Sequence, residues 1–154
     1  SINGYAENQG FNHWELLAQE QIPDDSSDDF QLQPAIWLSA RTRQSQIELG
    51  MAATLTLQGT EATFQLESAP GYPTLAASYQ AAMGQTVLVE KTIAVYTSRE
   101  VERPLEAARS KLAIMPAYPI CWQQHKQAWS ATWQTSDVII EGDTQAQFAI
   151  RYSV

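Results

Sequence analysis

The feature that most constrains this chain is a change of hydrophobic period at Ser98. From Thr86 to Ser98 the side chains alternate, with Val87, Val89, Lys91, Ile93, Val95 and Thr97 opposing Leu88, Glu90, Thr92, Ala94 and Tyr96. Successive side chains of an extended strand leave on opposite faces, and both rows here are rich in apolar or β-branched groups. That pattern predicts a strand covered on both sides. Beyond Ser98 the apolar residues recur as Leu105, Ala108, Leu112 and Met115, one stripe at the helical spacing of about 3.6 residues. The chain is therefore expected to build a β layer first and to follow it with helices.

Further alternation extends the β region back toward the N-terminus. Ile47, Leu49, Met51, Ala53, Leu55 and Leu57 share one face of a strand, Gln58-Gly59-Thr60-Glu61 is turn-like, and Ala62–Glu67 resumes period two. Together these predict a hairpin. Asn12–Gln19 and Ala35–Thr42 are two shorter strand candidates. Between them lies Asp24-Asp25-Ser26-Ser27-Asp28-Asp29, whose carboxylates repel one another and favour a solvated loop. A calcium loop needs alternating ligands and a glycine at its sharp turn, neither of which is present, so no metal ligand is assigned there.

In the helical region Pro104 suits a first helical turn, where a missing N–H costs nothing, and Pro116 ends the run. A second helix is expected over Pro119–Gln134, with Trp122, Lys126, Trp129 and Trp133 along one side. Asp137–Gly142 reads as extended. Asp143 is placed to cap a third helix from Thr144, with Ala146, Ala149, Ile150 and Ser153 inward. That helix reaches Val154 without a capping glycine, which is the expected look of a chain cut from a longer one.

Nine Lys and Arg against seventeen Asp and Glu give a net charge of −8, a field that repels phosphate backbones and anionic bilayers. Neither nucleic acid nor membrane is an expected partner. One cysteine, Cys121, allows no intrachain disulfide and fits a reducing, cytoplasmic setting. No apolar run approaches the roughly 20 residues that span a bilayer.

Catalytic chemistry finds little to work with. His13 and His125 are the only imidazoles, no Gly-x-Ser-x-Gly elbow or phosphate-binding glycine loop occurs, and the histidines and Cys121 match no zinc spacing. Glu90, Glu141 and Asp143 are carboxylates of the kind glycoside hydrolysis uses in pairs, but no pairing follows from sequence. No catalytic, metal or cofactor-binding residue is assigned. Five Trp and six Tyr are more suggestive, since a pyranose packs its C–H face on an aromatic ring. Trp14, Trp37 and Tyr72 form the candidate sugar platform, while Trp122, Trp129 and Trp133, at helical spacing, read as a packing stripe.

A longer pattern now stands out: His125, Trp129 and Trp133 at intervals of four, then Ser136-Asp137, Ile140-Glu141-Gly142-Asp143, Gln147 and Arg151. With Glu90-Lys91 and Val95-Tyr96-Thr97-Ser98-Arg99-Glu100 upstream, and Ser1-Ile2-Asn3-Gly4 at the start, it resembles glycoside hydrolase family 65. That family includes maltose, trehalose and kojibiose phosphorylases and related hydrolases. The resemblance implies part of an antiparallel, galactose-mutarotase-like β-supersandwich followed by two to three helices. Residues 1–100 would be the later sandwich, 101–136 the linker helices, and 137–154 the start of an (α/α)6 catalytic barrel. It implies a non-catalytic region bracing that barrel, in a parent that cleaves an α-linked glucoside by phosphorolysis or hydrolysis. The expected junction residues are Trp129, Trp133, Asp137, Glu141, Asp143 and Arg151, with Arg151 pairing a carboxylate such as Glu141. The alternative is a free-standing carbohydrate-binding module taking an α-linked glucose disaccharide. A sandwich missing its early strands leaves an apolar face open, so self-association is also expected.

Overall fold

The computed structural model describes residues 7–8, 11–22 and 34–153. The opening Ser1-Ile2-Asn3-Gly4 and the acidic run from Asp24 to Asp29 lie outside the described residues. In chain order come β1 (Glu7–Asn8), β2 (Phe11–Asn12), β3 (Trp14–Ile22), β4 (Ala35–Thr42), β5 (Glu48–Gln58), β6 (Ala62–Ala69), β7 (Tyr72–Tyr79) and β8 (Leu88–Thr97). Three helices follow: α1 (Pro104–Ala113), α2 (Tyr118–Ser136) and α3 (Thr144–Ser153). The fold is thus mainly antiparallel β followed by helices, and it divides into two units at Met115 and Pro116.

The first unit is built on the sheet β3-β4-β5-β8, antiparallel throughout. β4 is its structural centre because both of its faces are covered. On one face Ile36, Leu38 and Ala53 are buried, with Leu16, Met51, Leu66 and Leu75 packed against them. Leu66 and Leu75 belong to the two-stranded ribbon β6-β7, which therefore forms the second layer of the sandwich. On the other face Trp37, Ala52, Ala94 and Ala108 are buried, with Tyr96, Leu105 and Leu112 around them. This face takes α1.

Small residues decide how close α1 comes. A methyl group on Gly50 would lie 2.3 Å from the Leu105 nitrogen and 2.4 Å from the Pro104 carbonyl carbon, both of them backbone. Gly50, Ala52 and Ala94 thus form a saddle on which the first turns of α1 rest directly, with the fully buried Ala108 as the helix's own small residue at the contact. Pro104 begins the helix as expected of its fixed φ.

Two expectations are corrected here. Gln58–Glu61 does separate two strands, but β6 does not pair back on β5, whose two neighbours are β4 and β8. With both edges of β5 occupied, the turn carries the chain out of one sheet and into the other. Gly59, at φ 93°, makes that crossing, and its carbonyl accepts a hydrogen bond from Gln85 Nε2. The true hairpin is β6-β7, closed by Pro70 and Gly71 between the paired Ala69 and Tyr72, with Gly71 at φ 77°. Proline followed by a positive-φ glycine is the sequence of a tight turn.

The second correction concerns β8, the strand expected to be covered on both sides. Among the described residues it is an edge strand, paired with β5 alone. Ala94 is buried beneath α1, whereas Val89, Ile93 and Val95 on the opposite face are 48, 45 and 50% exposed. A dense apolar pattern records that a strand seeks cover, not that one chain provides it.

The second unit comprises α2, the extended Asp137–Asp143 connector and α3, and none of its described residues is buried. Among the described residues no helix is long and apolar enough to cross a membrane.

Candidate functional site

The three residues of the candidate sugar platform are not brought to one surface. Trp14 pairs with Thr42, which puts its side chain on the ribbon-covered face of the sheet, with Leu38 and Ala40. Trp37 lies on the opposite face and is 8% exposed, with the Arg109 guanidinium 5.5 Å from its ring centroid. Tyr72 opens β7 in the separate ribbon and is exposed. A pyranose needs an open ring face, and the Trp37 ring is occupied by the helix and a cation.

The imidazoles and the thiol are likewise engaged locally. His13 meets Phe11 edge to face at 4.8 Å. His125 lies within an aromatic ladder along α2: Tyr118 to Trp122 at 6.3 Å, Trp122 to His125 at 5.8 Å, and His125 to Trp129 at 6.1 Å. The first two contacts are stacked, so these rings turn their faces toward each other along the helix. Cys121 Sγ donates to the Pro116 carbonyl at 3.2 Å. No group of three or more potential metal ligands occurs among the described residues.

Of the six junction residues, Asp137, Asp143 and Arg151 take part in a clasp of the connector on α3, and Trp129, Trp133 and Glu141 do not. Asp137 ends α2, and its N–H bonds to the Trp133 carbonyl at 2.9 Å. Arg151 on α3 reaches back to it with Nε donating to Oδ1 at 2.9 Å and a second, shorter bond from the guanidinium to Oδ2. The fork geometry of the guanidinium matches a carboxylate, and the bond holds the Asp137 carboxyl below its ordinary value while raising Arg151. The partner of Arg151 is Asp137 rather than Glu141, because Arg151 lies two turns into α3, level with the start of the connector. Asp143 caps α3, its Oδ1 accepting from the N–H groups of Gln145 and Ala146, both at 3.0 Å. Gly142, at φ 88°, supplies the left-handed residue immediately before that cap.

Gln147, part of the sequence pattern but with no role evident from it, is central. Its Oε1 accepts from the Ile140 N–H at 2.6 Å while its Nε2 donates to the Val138 carbonyl at 2.8 Å. One amide thus satisfies a donor and an acceptor of a strand-like segment that has no sheet to join. The signal available was its spacing, four residues after Asp143 and four before Arg151, on the helix face that looks at the connector.

Asp137, Gly142, Asp143, Gln147 and Arg151 therefore each fold the connector against α3. Glu141 is exposed, Trp133 is half-buried, and Trp129 is exposed on α2. Apolar side chains point outward from the same unit: Ile139, Phe148 and Tyr152 are 75, 73 and 86% exposed. The arrangement is chemically suited to presenting an apolar surface on a hydrogen-bonded frame.

Comparison with known proteins agrees with the resemblance. The model for the N-terminal domain of glycosyl hydrolase family 65 matches residues 1–132. Kojibiose phosphorylase of Caldanaerobacter subterraneus subsp. tengcongensis is 31% identical over 74 residues, covering 46% of this chain and 10% of that protein. The matched stretch is thus a small part of the relative's length.

Proposed function

The chain belongs to glycosyl hydrolase family 65 through the family's N-terminal domain, and on that premise we propose that it is a non-catalytic region bracing the catalytic part of an α-glucoside-processing enzyme. Residues 1–100 serve as sandwich, 101–136 as linker helices, and 137–154 lead into a helical barrel that carries the chemistry. The likeness to a kojibiose phosphorylase supports phosphorolysis of an α-linked glucose disaccharide as the parent reaction, with hydrolysis the competing outcome.

The observation that carries this reading is the outward apolar surface of the second unit. Phe148 and Tyr152 are one turn apart on α3 and exposed, next to a connector whose Val138 carbonyl and Ile140 N–H are already bonded to Gln147. Large exposed aromatics on an ordered frame mark a surface built to be covered. A sugar site would instead gather aromatic faces and hydrogen-bonding groups into one concavity, which Trp14, Trp37 and Tyr72 do not form.

The test uses Phe148→Ala together with Tyr152→Ala, in this chain and in the longer enzyme that contains it. The expected result is an unchanged melting temperature for the chain and a drop of several degrees for the enzyme. Equal effects in both would remove the bracing role. Purified chain incubated with kojibiose and phosphate is expected to release no glucose 1-phosphate, and turnover would overturn the non-catalytic reading. Saturable quenching of tryptophan fluorescence by the disaccharide would favour the binding module instead.

A further inference from the structure

The two edges of the four-stranded sheet are not alike. β3 carries an irregularity between Leu16 and Ala18 that interrupts its ladder. Bulges of this kind blunt an edge against further pairing. β8 has none: its register with β5 is unbroken from Leu88 to Thr97, and it contains no proline. Its outer row of backbone groups lies beside the half-exposed Val89, Ile93 and Val95, with Lys91 the charged group on that face.

We propose that β8 pairs edge to edge with β8 of a second copy of this chain, antiparallel about a two-fold axis through Thr92. The strand is self-complementary in one register. Directly opposed residues in an antiparallel pair share a face, so a two-fold axis must pass through a residue of the strand. An axis at Glu90 or Lys91 sets like charges against each other, which is destabilising. An axis at Ile93 leaves the exposed Leu88 outside the paired region. An axis at Thr92 sets Val89 against Val95, Lys91 against Ile93, Glu90 against Ala94 and Leu88 against Tyr96. No charge then opposes another, and every exposed apolar residue of the strand gains a neighbour.

The net charge of −8 on each copy opposes this association at low salt. Added salt screens that repulsion and leaves backbone pairing and apolar contact intact. Association through β8 therefore strengthens as salt rises, the reverse of an interface held by ion pairs.

The experiment is sedimentation equilibrium of the whole chain over a wide dilution series at low and high salt. The average mass is expected to climb from 17.2 kDa toward twice that value, more readily at high salt. Two substitutions at the half-exposed Ile93 test the register. Ile93→Lys faces the partner's Lys91 and abolishes the dimer, whereas Ile93→Glu faces the same lysine and retains it. Unchanged circular dichroism melts establish that both variants fold. Hydrogen exchange of the amides in 88–97 should slow as concentration rises. A mass of 17.2 kDa at every concentration overturns the proposal and leaves β8 to a different partner or to another part of a longer polypeptide. A dimer indifferent to Ile93→Lys, or one in which Ile93→Lys and Ile93→Glu behave alike, overturns it equally.

Discussion

In the unit that ends at Met115, Leu38 is fully buried between a ribbon and its own sheet, and Ala108 is fully buried between a helix and that sheet. In the unit that begins at Pro116, no described residue is buried, yet its connector has the more elaborate polar bonding. The first region gains its stability from apolar area removed from water, about 25 cal/mol per Å². The second holds its shape through a cap, a paired amide and an ion pair, all of them in contact with solvent and individually weak. Directional bonds can fix a geometry cheaply; they cannot supply a core. The helical unit is locally well specified and yet displays its aromatics.

That contrast can be broken at its strongest point. Leu38→Ala removes a side chain with no exposure from the centre of the first unit, and is expected to cost about 2–5 kcal/mol in denaturant unfolding. Phe148→Ala removes a larger side chain from the second unit of the same chain, and is expected to stay within about 0.5 kcal/mol. Comparable losses would mean that the helical unit has a core after all, and the distinction would fall.

A somewhat smaller effect sharpens the account of the first unit. Gly50→Ala forces a methyl group into the backbone of Pro104 and Leu105, which cannot rotate away as a side chain would. The expected cost is about 1–3 kcal/mol, typical of overpacking. Because α1 must lift, it should appear as faster hydrogen exchange in 104–113 ahead of β4. A neutral Gly50→Ala would show that the saddle of small residues is not what seats the helix.

Much of this was readable before the structure, and the unread part has physical causes. β4 falls on Ala35–Thr42 as the pattern indicated, because a short apolar run is bounded by Pro34. Pro104, Pro116 and Asp143 marked helix ends through backbone chemistry that needs no tertiary context. The β5-β6 hairpin failed because a turn signal says where a chain bends, not which strand it meets next. β5 is claimed by β4 and β8, and the competing Pro70-Gly71 turn was the stronger hairpin signal. The burial of β8 failed because two apolar rows specify a need for cover without specifying its source. At the candidate site, the motif from Asp137 to Arg151 was visible, but its internal pairing was not. Arg151 could reach several carboxylates, and only the fold of the connector places Asp137 beside it.

The weakest part of that clasp is titratable, and its sign can be worked out. Arg151 holds the Asp137 carboxyl below its ordinary value, so the folded form binds that proton less readily than the unfolded chain. A carboxyl depressed in this way contributes stability that is fully present above its unfolded value and is lost as pH falls through its folded one. Arg151 stays charged throughout, so the change on acidification belongs to Asp137. The second unit should therefore loosen at the acid end, below the ordinary carboxylate range, while the buried apolar core around Leu38 holds. Two-dimensional NMR can follow the Arg151 Nε–H alongside the amide of Ile140 during the titration. Both are expected to lose their shifted positions together if the ion pair and the Gln147 bonds form one clasp. Arg151→Gln should flatten the acid step, because a carboxyl no longer held down by Arg151 loses most of its difference in proton affinity between folded and unfolded forms, and with it the pH-dependent stability. If Ile140 is indifferent to both the acid step and Arg151→Gln, Gln147 holds the connector without help, and the helical unit is more independent of charge than its geometry implies.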